Sequence, residues 1–220
     1  MHNMNNEQLC YQYLDILYQD ARRTVQNYAN KNSIPETYGE ILYPSVQTLM
    51  TKIEMTGQDV FFDLGSGMGK VALQLFLLSN LKECYGIEII PELHHIAVQA
   101  ANKIQTDLTD FYSGERKLAF IQGSFLDVSF DRATIVMIGS PCFTPGMLAK
   151  VGTIIENTPG IHTVLTLRPI TTLKRLRFIK TVRLECSWDS ALCYIYGKHS
   201  RMKCDDIIYQ HAGSEPAGNG

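Results

Sequence analysis

The residues able to do chemistry sit at three places spaced like the ends of successive strands. Residues 60–70 read VFFDLGSGMGK, an apolar run broken by Asp63 and followed by glycines at 65, 67 and 69. Glycine takes positive φ at no steric cost and lets backbone approach a ligand, so this order reads as strand, tight turn and helix start. A ligand on such a turn also meets the unpaired N–H groups that open a helix. Gly65, Ser66, Gly67, Gly69 and Lys70 are therefore candidate binding positions, with Asp63 just before them. The spacing is not the dinucleotide fingerprint G-x-G-x-x-G: the third glycine comes one residue early, and Lys70 stands in its place. Residues 82–90 (KECYGIEII) read as a second strand ending at Glu88, about twenty residues past Gly67. An acid there, with Ile89 beside it, is placed to accept the hydroxyls of a ribose. Residues 117–127 (KLAFIQGSFLD) supply a third strand and loop, in which Phe125 is placed to stack on an adenine and Ser124 or Asp127 to bond its amino group. An ordinary loop or a solvated acid remains the bland alternative at each point. Three suitable strand ends in order favour a nucleoside pocket.

The elements that position these ends follow from periodicity. Residues 5–28 repeat Leu9, Tyr13, Leu17, Ala21, Val25 and Tyr28 at steps of three and four, predicting an amphipathic helix that covers the sheet or the ligand cleft. Residues 30–35 break it, and a second short helix is expected at 43–54. Helices at 71–78, 92–106 and 147–155 alternate with strands at 60–64, 82–90, within 117–127, 134–138 and 161–167. Five strands with intervening helices imply a parallel α/β sheet that binds ligands at the strands' carboxyl ends. The last two strands, 178–187 and 192–198, lie too close for a crossover helix and predict an antiparallel hairpin. A dehydrogenase would continue with βαβ units instead.

Composition narrows the class. The chain has 220 residues, 45% hydrophobic and 19% charged, as expected for one folded α/β domain. Twenty Lys and Arg against 22 Asp and Glu give a net charge of −2, so contact with an acidic macromolecule needs a local patch. Lys174, Arg175, Arg177, Lys180 and Arg183 are the candidate patch; a solvated strand approach is the alternative. The six cysteines form no C-x-x-C pair and no metal spacing with the histidines, His94 and His95 included, so no metal is expected. They read as reduced thiols, with a Cys186–Cys193 bridge disfavoured. No run reaches membrane-span length and no signal peptide opens the chain, giving an intracellular expectation with the cytoplasm as default and the nucleus or a host cell left open. The boundaries read as an N-terminal helical segment at 1–36, a catalytic domain at 37–200 and a flexible polar tail at 201–220.

The D-x-G-x-G-x-G order resembles motif I of S-adenosylmethionine methyltransferases. Together with Tyr38-Gly39-Glu40, Tyr85-Gly86-Ile87-Glu88, Gly123-Ser124-Phe125-Leu126 and Ser187-Trp188, it makes residues 34–198 resemble the non-SET histone-lysine methyltransferases, the disruptor-of-telomeric-silencing family. The resemblance implies a seven-stranded Rossmann-like methyltransferase sheet with an N-terminal helical segment and a C-terminal antiparallel hairpin. It also implies S-adenosyl-L-methionine as cofactor and a protein lysine as acceptor. By the same resemblance, Asp63, Gly65 and Gly67 hold the methionine end, Glu88 the ribose and Phe125 the adenine, while Tyr38, Gly39 and Glu40 belong to a loop closing over the cofactor. Ser124 stands where the family has an acid, and Lys70 where it has glutamine.

The loop after strand four departs furthest. Gly139-Ser140-Pro141-Cys142-Phe143 replaces an asparagine-rich stretch, and only Phe143 lines up. It is also similar to the (Asp/Asn/Ser)-Pro-Pro-aromatic loop of amine and amide methyltransferases, whose side-chain oxygen holds an amino nitrogen. A proline turn with a core phenylalanine is the alternative. Methyl transfer needs an uncharged amine held in line, and a free lysine has a pKa of about 10.4, so a dry aromatic channel is required. Ser140, Phe143 and Tyr194 are the candidates for it, with Tyr196 on the same strand face. Transfer to another nitrogen, in nucleic acid or a small molecule, and cofactor binding without turnover are the competing readings.

Overall fold

The computed structural model describes residues 6–19, 21, 39–108, 116–139 and 143–198. Seven strands form one sheet: β1 (Val60–Leu64), β2 (Glu83–Glu88), β3 (Lys117–Gln122), β4 (Ile135–Ile138), β5 (Thr163–Thr166), β6 (Arg177–Glu185) and β7 (Ser190–Gly197). Their order is β3-β2-β1-β4-β5-β7-β6. β1 to β5 run parallel, and β1, β2, β4 and β5 are buried along their whole length, the polar Asp63, Glu83 and Glu88 included. β7 inserts antiparallel between β5 and β6, as the short connection required. The chain reverses its direction of travel across the sheet between β1 and β4, so the carboxyl ends of these strands flank the switch point at which open α/β sheets bind ligands.

Among the described residues, five helices cover the sheet: α1 (Asn6–Leu17), α2 (Tyr43–Lys52), α3 (Lys70–Leu78), α4 (Pro91–Asp107) and α5 (Pro145–Glu156). One apolar layer gathers residues of α1 to α4, such as Leu14, Leu49, Phe76 and Ile104, against Phe61, Cys84 and Met137. The other gathers α5 with Phe62, Tyr85, Val136, Val164, Phe125 and Tyr196. At the amino ends of β1 and β4, buried Asp59 accepts from Thr56, Thr134 and the His162 ring. Burial raises the pKa of this carboxyl, but those hydrogen bonds outweigh it and hold the group below its ordinary value.

The first helix is shorter than its periodicity predicts. It ends at Leu17, and Tyr18 leaves the helix with its side chain buried and its hydroxyl donating to the Met68 carbonyl at 2.7 Å. The buried face is also not the predicted one: Cys10, Leu14 and Tyr18 enter the core, whereas Tyr13 and Leu17 are half-buried and Leu9 is exposed. The remainder of the expected helix, residue 38 and the tail lie outside the described residues. Cys186 and Cys193 are free thiols: Cys193 pairs across the hairpin with Val182, and Cys186 bridges Ile41.

The basic stretch divides in two. Arg175 is not available to a partner, because its guanidinium donates to the carbonyls of Ile155, Thr158 and Ile161 and its amide to Glu156. It ties down the chain that leaves α5, as a second donor to the Ile155 and Thr158 carbonyls, which also accept the Thr158 and Ile161 amides, and as a donor to the Ile161 carbonyl. Lys174, Arg177 and Arg183 remain exposed. Arg175→Ala should therefore lower stability by about 1–3 kcal/mol, through the loss of these charge-assisted hydrogen bonds and of the donor to the Ile161 carbonyl, while leaving acceptor binding alone. Thermal melts beside Lys174→Ala, which should melt like wild type, check this.

Candidate active site

β1 delivers the glycine turn. Gly65, Gly67 and Gly69 have φ of 80°, 55° and 82°, a region costly to other residues. Gly65 and Ser66 amides donate to the Ile87 carbonyl at 2.8 and 3.0 Å, folding the turn back onto β2. Contacts explain two of the glycines further. A Cβ at Gly65 would lie 2.8 Å from Phe143 Cζ, and one at Gly69 would collide with the Phe120 ring. Gly65 thus leaves room on the ligand side, and Gly69 lets α3 approach β3 and α4.

Two carboxylates lie under this turn. Glu88, 6% exposed, accepts the Gly67 amide on Oε2 at 2.7 Å and the Ile90 amide on Oε1 at 2.8 Å. It braces the turn, and each oxygen keeps a lone pair for a ligand hydroxyl. Asp63, 3% exposed, receives no hydrogen bond from the described residues. Burial, and secondarily the charge of Glu88, push its pKa up to about 7. The Ser66 hydroxyl is also buried and has no partner among the described residues; it lies over Gly86, against the sheet. A buried carboxylate pair with one member unbonded suits a ligand carrying a positive charge and vicinal hydroxyls. S-adenosylmethionine fits that donor set.

Aromatic rings wall the opposite side. Phe125, buried after β3, meets Phe143 at a centroid distance of 5.0 Å and an interplanar angle of 50°. Phe143 is held over Gly65 by Arg168, whose Nη1 donates to the Phe143 carbonyl at 3.0 Å. Ile89, beside Glu88, is 64% exposed. Ser124 uses its hydroxyl to accept the Leu126 amide at 3.1 Å, starting the turn that presents Phe125. Ser140 lies outside the described residues. Tyr194 sits opposite Thr166, the last residue of β5, with its ring 6.4 Å from that of Phe178. Tyr196 is occupied structurally, its hydroxyl accepting the Ile170 amide.

A strap, residues 39–42, closes the remaining side and joins two sequence pieces far apart. The Glu40 amide donates to Ser187 Oγ at 2.9 Å, and the Ser187 amide donates to the Glu40 carbonyl at 2.8 Å. A Cβ at Gly39 would stand inside the ring of Trp188, so only glycine permits this packing. The Glu40 carboxylate reaches Lys70 Nζ at 2.6 Å. Lys70 and Glu40 thus pair with each other. Tyr38 lies outside the described residues. Sequence reasoning missed the roles of Tyr18, Arg168 and Trp188; only the Ser-Trp pair carried a signal, as part of the family pattern.

Comparison with known proteins agrees with this architecture. The family model "Histone methylation protein DOT1" matches residues 13–186. A Caenorhabditis elegans protein named histone-lysine N-methyltransferase, H3 lysine-79 specific, is 27% identical over 128 residues, 56% of this chain and 14% of its own length. One of the same name from Emericella nidulans is 32% identical over 123 residues, 52% of this chain and 24% of its own. The match thus spans about a quarter or less of these relatives' length. Among solved structures, an RNA methyltransferase from Salinibacter ruber in complex with S-adenosyl-L-homocysteine superposes with a TM-score of 0.51 at 21% identity, over 70% of this chain and 90% of that one. The M. capricolum TrmK structure with the same product gives 0.51 at 12% identity, over 72% and 70%. These likenesses show the Rossmann-like methyltransferase fold. With the family model covering most of the chain, from α1 through β6, the protein belongs to the DOT1 family of histone methylation proteins.

Proposed function

We propose that the chain is an S-adenosylmethionine-dependent methyltransferase domain whose acceptor is a protein lysine. The observation that carries this reading is the pair of buried carboxylates at adjacent strand ends beneath a positive-φ glycine turn, Asp63 without a hydrogen bond from the described residues and Glu88 with lone pairs to spare. The cofactor, when bound, supplies a methyl group on a sulfonium. Asp63 offers charge to its cationic end, Glu88 accepts from the ribose, and Phe125 and Ile89 flank the adenine. Gly65, Gly67 and Gly69 keep the turn clear of side chains, while Ser66 supports it from below. Ser124 presents Phe125 to the site and keeps an acceptor lone pair for the adenine amino group.

Phe143, pinned by Arg168, covers the methyl side. A ring there excludes water, which favours the neutral amine that must attack. Ser140, from the same loop, orients the incoming nitrogen, and Tyr194 completes the wall. The relatives are named for lysine 79 of histone H3, so a histone lysine is the first acceptor to test, and chromatin rather than the cytoplasm is the expected place of work. No helix among the described residues is long and apolar enough to cross a membrane.

Calorimetry tests the cofactor reading. S-adenosylmethionine and S-adenosylhomocysteine should raise the melting temperature, about 2.7 kcal/mol of stabilisation at a hundredfold excess over Kd, and NAD should not. Stabilisation by NAD alone would overturn it. Lys174, Arg177 and Arg183 are proposed to meet an acidic face of the acceptor. Replacing all three with glutamine should raise KM for the acceptor severalfold at low salt, flatten its salt dependence and spare cofactor affinity.

A further inference from the structure

We infer that Lys70 is a positioning residue, a buried cationic strut that fixes the acceptor-side hairpin relative to the cofactor turn. This rests on the methyltransferase reading. Lys70 opens α3 directly after Gly69 and is only 7% exposed. Its place is electrostatically poor. Burial strips the ammonium of water, and a helix amino terminus carries partial positive charge of its own. Two groups offset this: the Glu40 carboxylate at 2.6 Å and the Tyr18 ring, whose centroid is 4.9 Å from Nζ. Tyr18 is in turn anchored to the glycine turn through the Met68 carbonyl.

Glu40 connects outward as well. Its backbone is paired in both directions with Ser187, Ile41 bridges Cys186, and the Leu42 amide donates to the Glu185 carbonyl at 3.0 Å. Trp188 packs its ring on Gly39. The strap is therefore a continuation of the β6–β7 hairpin, and the Glu40–Lys70 pair is the charged contact joining that hairpin to the helix that follows the cofactor turn. β7 carries Tyr194 of the acceptor wall. The ion pair thus sets how far the acceptor side stands from the turn. A neutral glutamine at position 70, the residue the family resemblance places there, would lack the charge that makes this contact obligatory.

The test is a double-mutant cycle on the full chain with K70M, E40Q, the pair together and K70R. It reads amide hydrogen exchange at residues 40–42, cofactor affinity by calorimetry, and single-turnover transfer at saturating cofactor. K70M should speed exchange at 40–42 and slow transfer by about tenfold or more each, with cofactor affinity changed less than about threefold. E40Q, which leaves an uncompensated buried ammonium, should be worse than the double mutant, and K70R should recover most of the loss. If K70M does not fold, K70Q replaces it in the cycle. Additive effects, or unchanged exchange in the strap, would overturn the strut. The exchange measurement needs no cofactor. Failure of the wild type to bind S-adenosylmethionine would therefore count against the methyltransferase reading and leave the exchange result to judge the ion pair separately.

Discussion

Asp63→Asn is expected to weaken S-adenosylmethionine binding by about a hundredfold at pH 8 while making the cofactor-free protein more stable. The opposite signs come from one cause. Asp63 is buried beside Glu88, and its pKa is pushed up to about 7 from an ordinary value of 3.8. A group with a raised folded pKa binds more protons folded than unfolded, so it contributes stability at low pH that is lost as the pH rises through about 7. Asparagine carries no charge to be penalised and has an amide to offer Glu88, so the variant should lose this decline. A cationic ligand reverses the balance by favouring the ionised carboxylate. Cofactor binding to the wild type should therefore tighten between pH 6 and pH 8 and release a proton at the lower end, whereas binding to the variant should be flat. Melting curves and calorimetry in two buffers of different ionisation enthalpy measure both. A variant that is less stable at pH 8 yet binds normally would make Asp63 a purely structural acid.

The second large effect is expected at Phe143. Phe143→Ala should slow methyl transfer by about a hundredfold at saturating cofactor, with cofactor affinity reduced only severalfold. The ring lies over Gly65 and against Phe125, so its removal opens the methyl side to water and leaves the acceptor amine both protonated and loosely held. Phe143 is only partly buried, so the stability loss should fall below the 3–5 kcal/mol typical of a fully buried ring. Raising the pH should recover part of the rate, because more of the acceptor becomes neutral. A mutant that melts early but transfers methyl at the wild-type rate while folded would place the acceptor elsewhere. Gly65→Ala provides a control from the other side: its Cβ meets the same ring and adopts a strained φ.

What was legible in the sequence was local. The glycine turn could be read because three backbone positions need φ values that only glycine takes cheaply, and the closing hairpin because its connection is too short to cross over. β4 announced itself by an unbroken apolar run, β5 by its β-branched residues, and Glu88 by falling at the end of a strand. What was not legible depends on contacts between distant residues. Nothing near Tyr18 says that its ring will lie on Lys70, and nothing near Trp188 says that it will cover Gly39. Arg175 shows the same limit within one charge run: its neighbours face solvent, but it closes the end of α5, and composition cannot distinguish the two. The buried face of α1 is not the one its periodicity suggests, because Cys10, Leu14 and Tyr18 keep the same helical spacing one residue along and take the core. Glu88 braces the turn through two amides, a task that its place at a strand end does not announce.

The central claim is tested most directly by incubating the purified chain with S-adenosylmethionine labelled in the methyl group, together with nucleosomes, free histones and bulk RNA in separate reactions. Acid hydrolysis and amino-acid analysis then identify the labelled species. The account predicts label in N-methylated lysine of a protein acceptor, abolished by Asp63→Asn and strongly reduced by Phe143→Ala. Label confined to RNA, or tight cofactor binding with no transfer to any of the three, would contradict it.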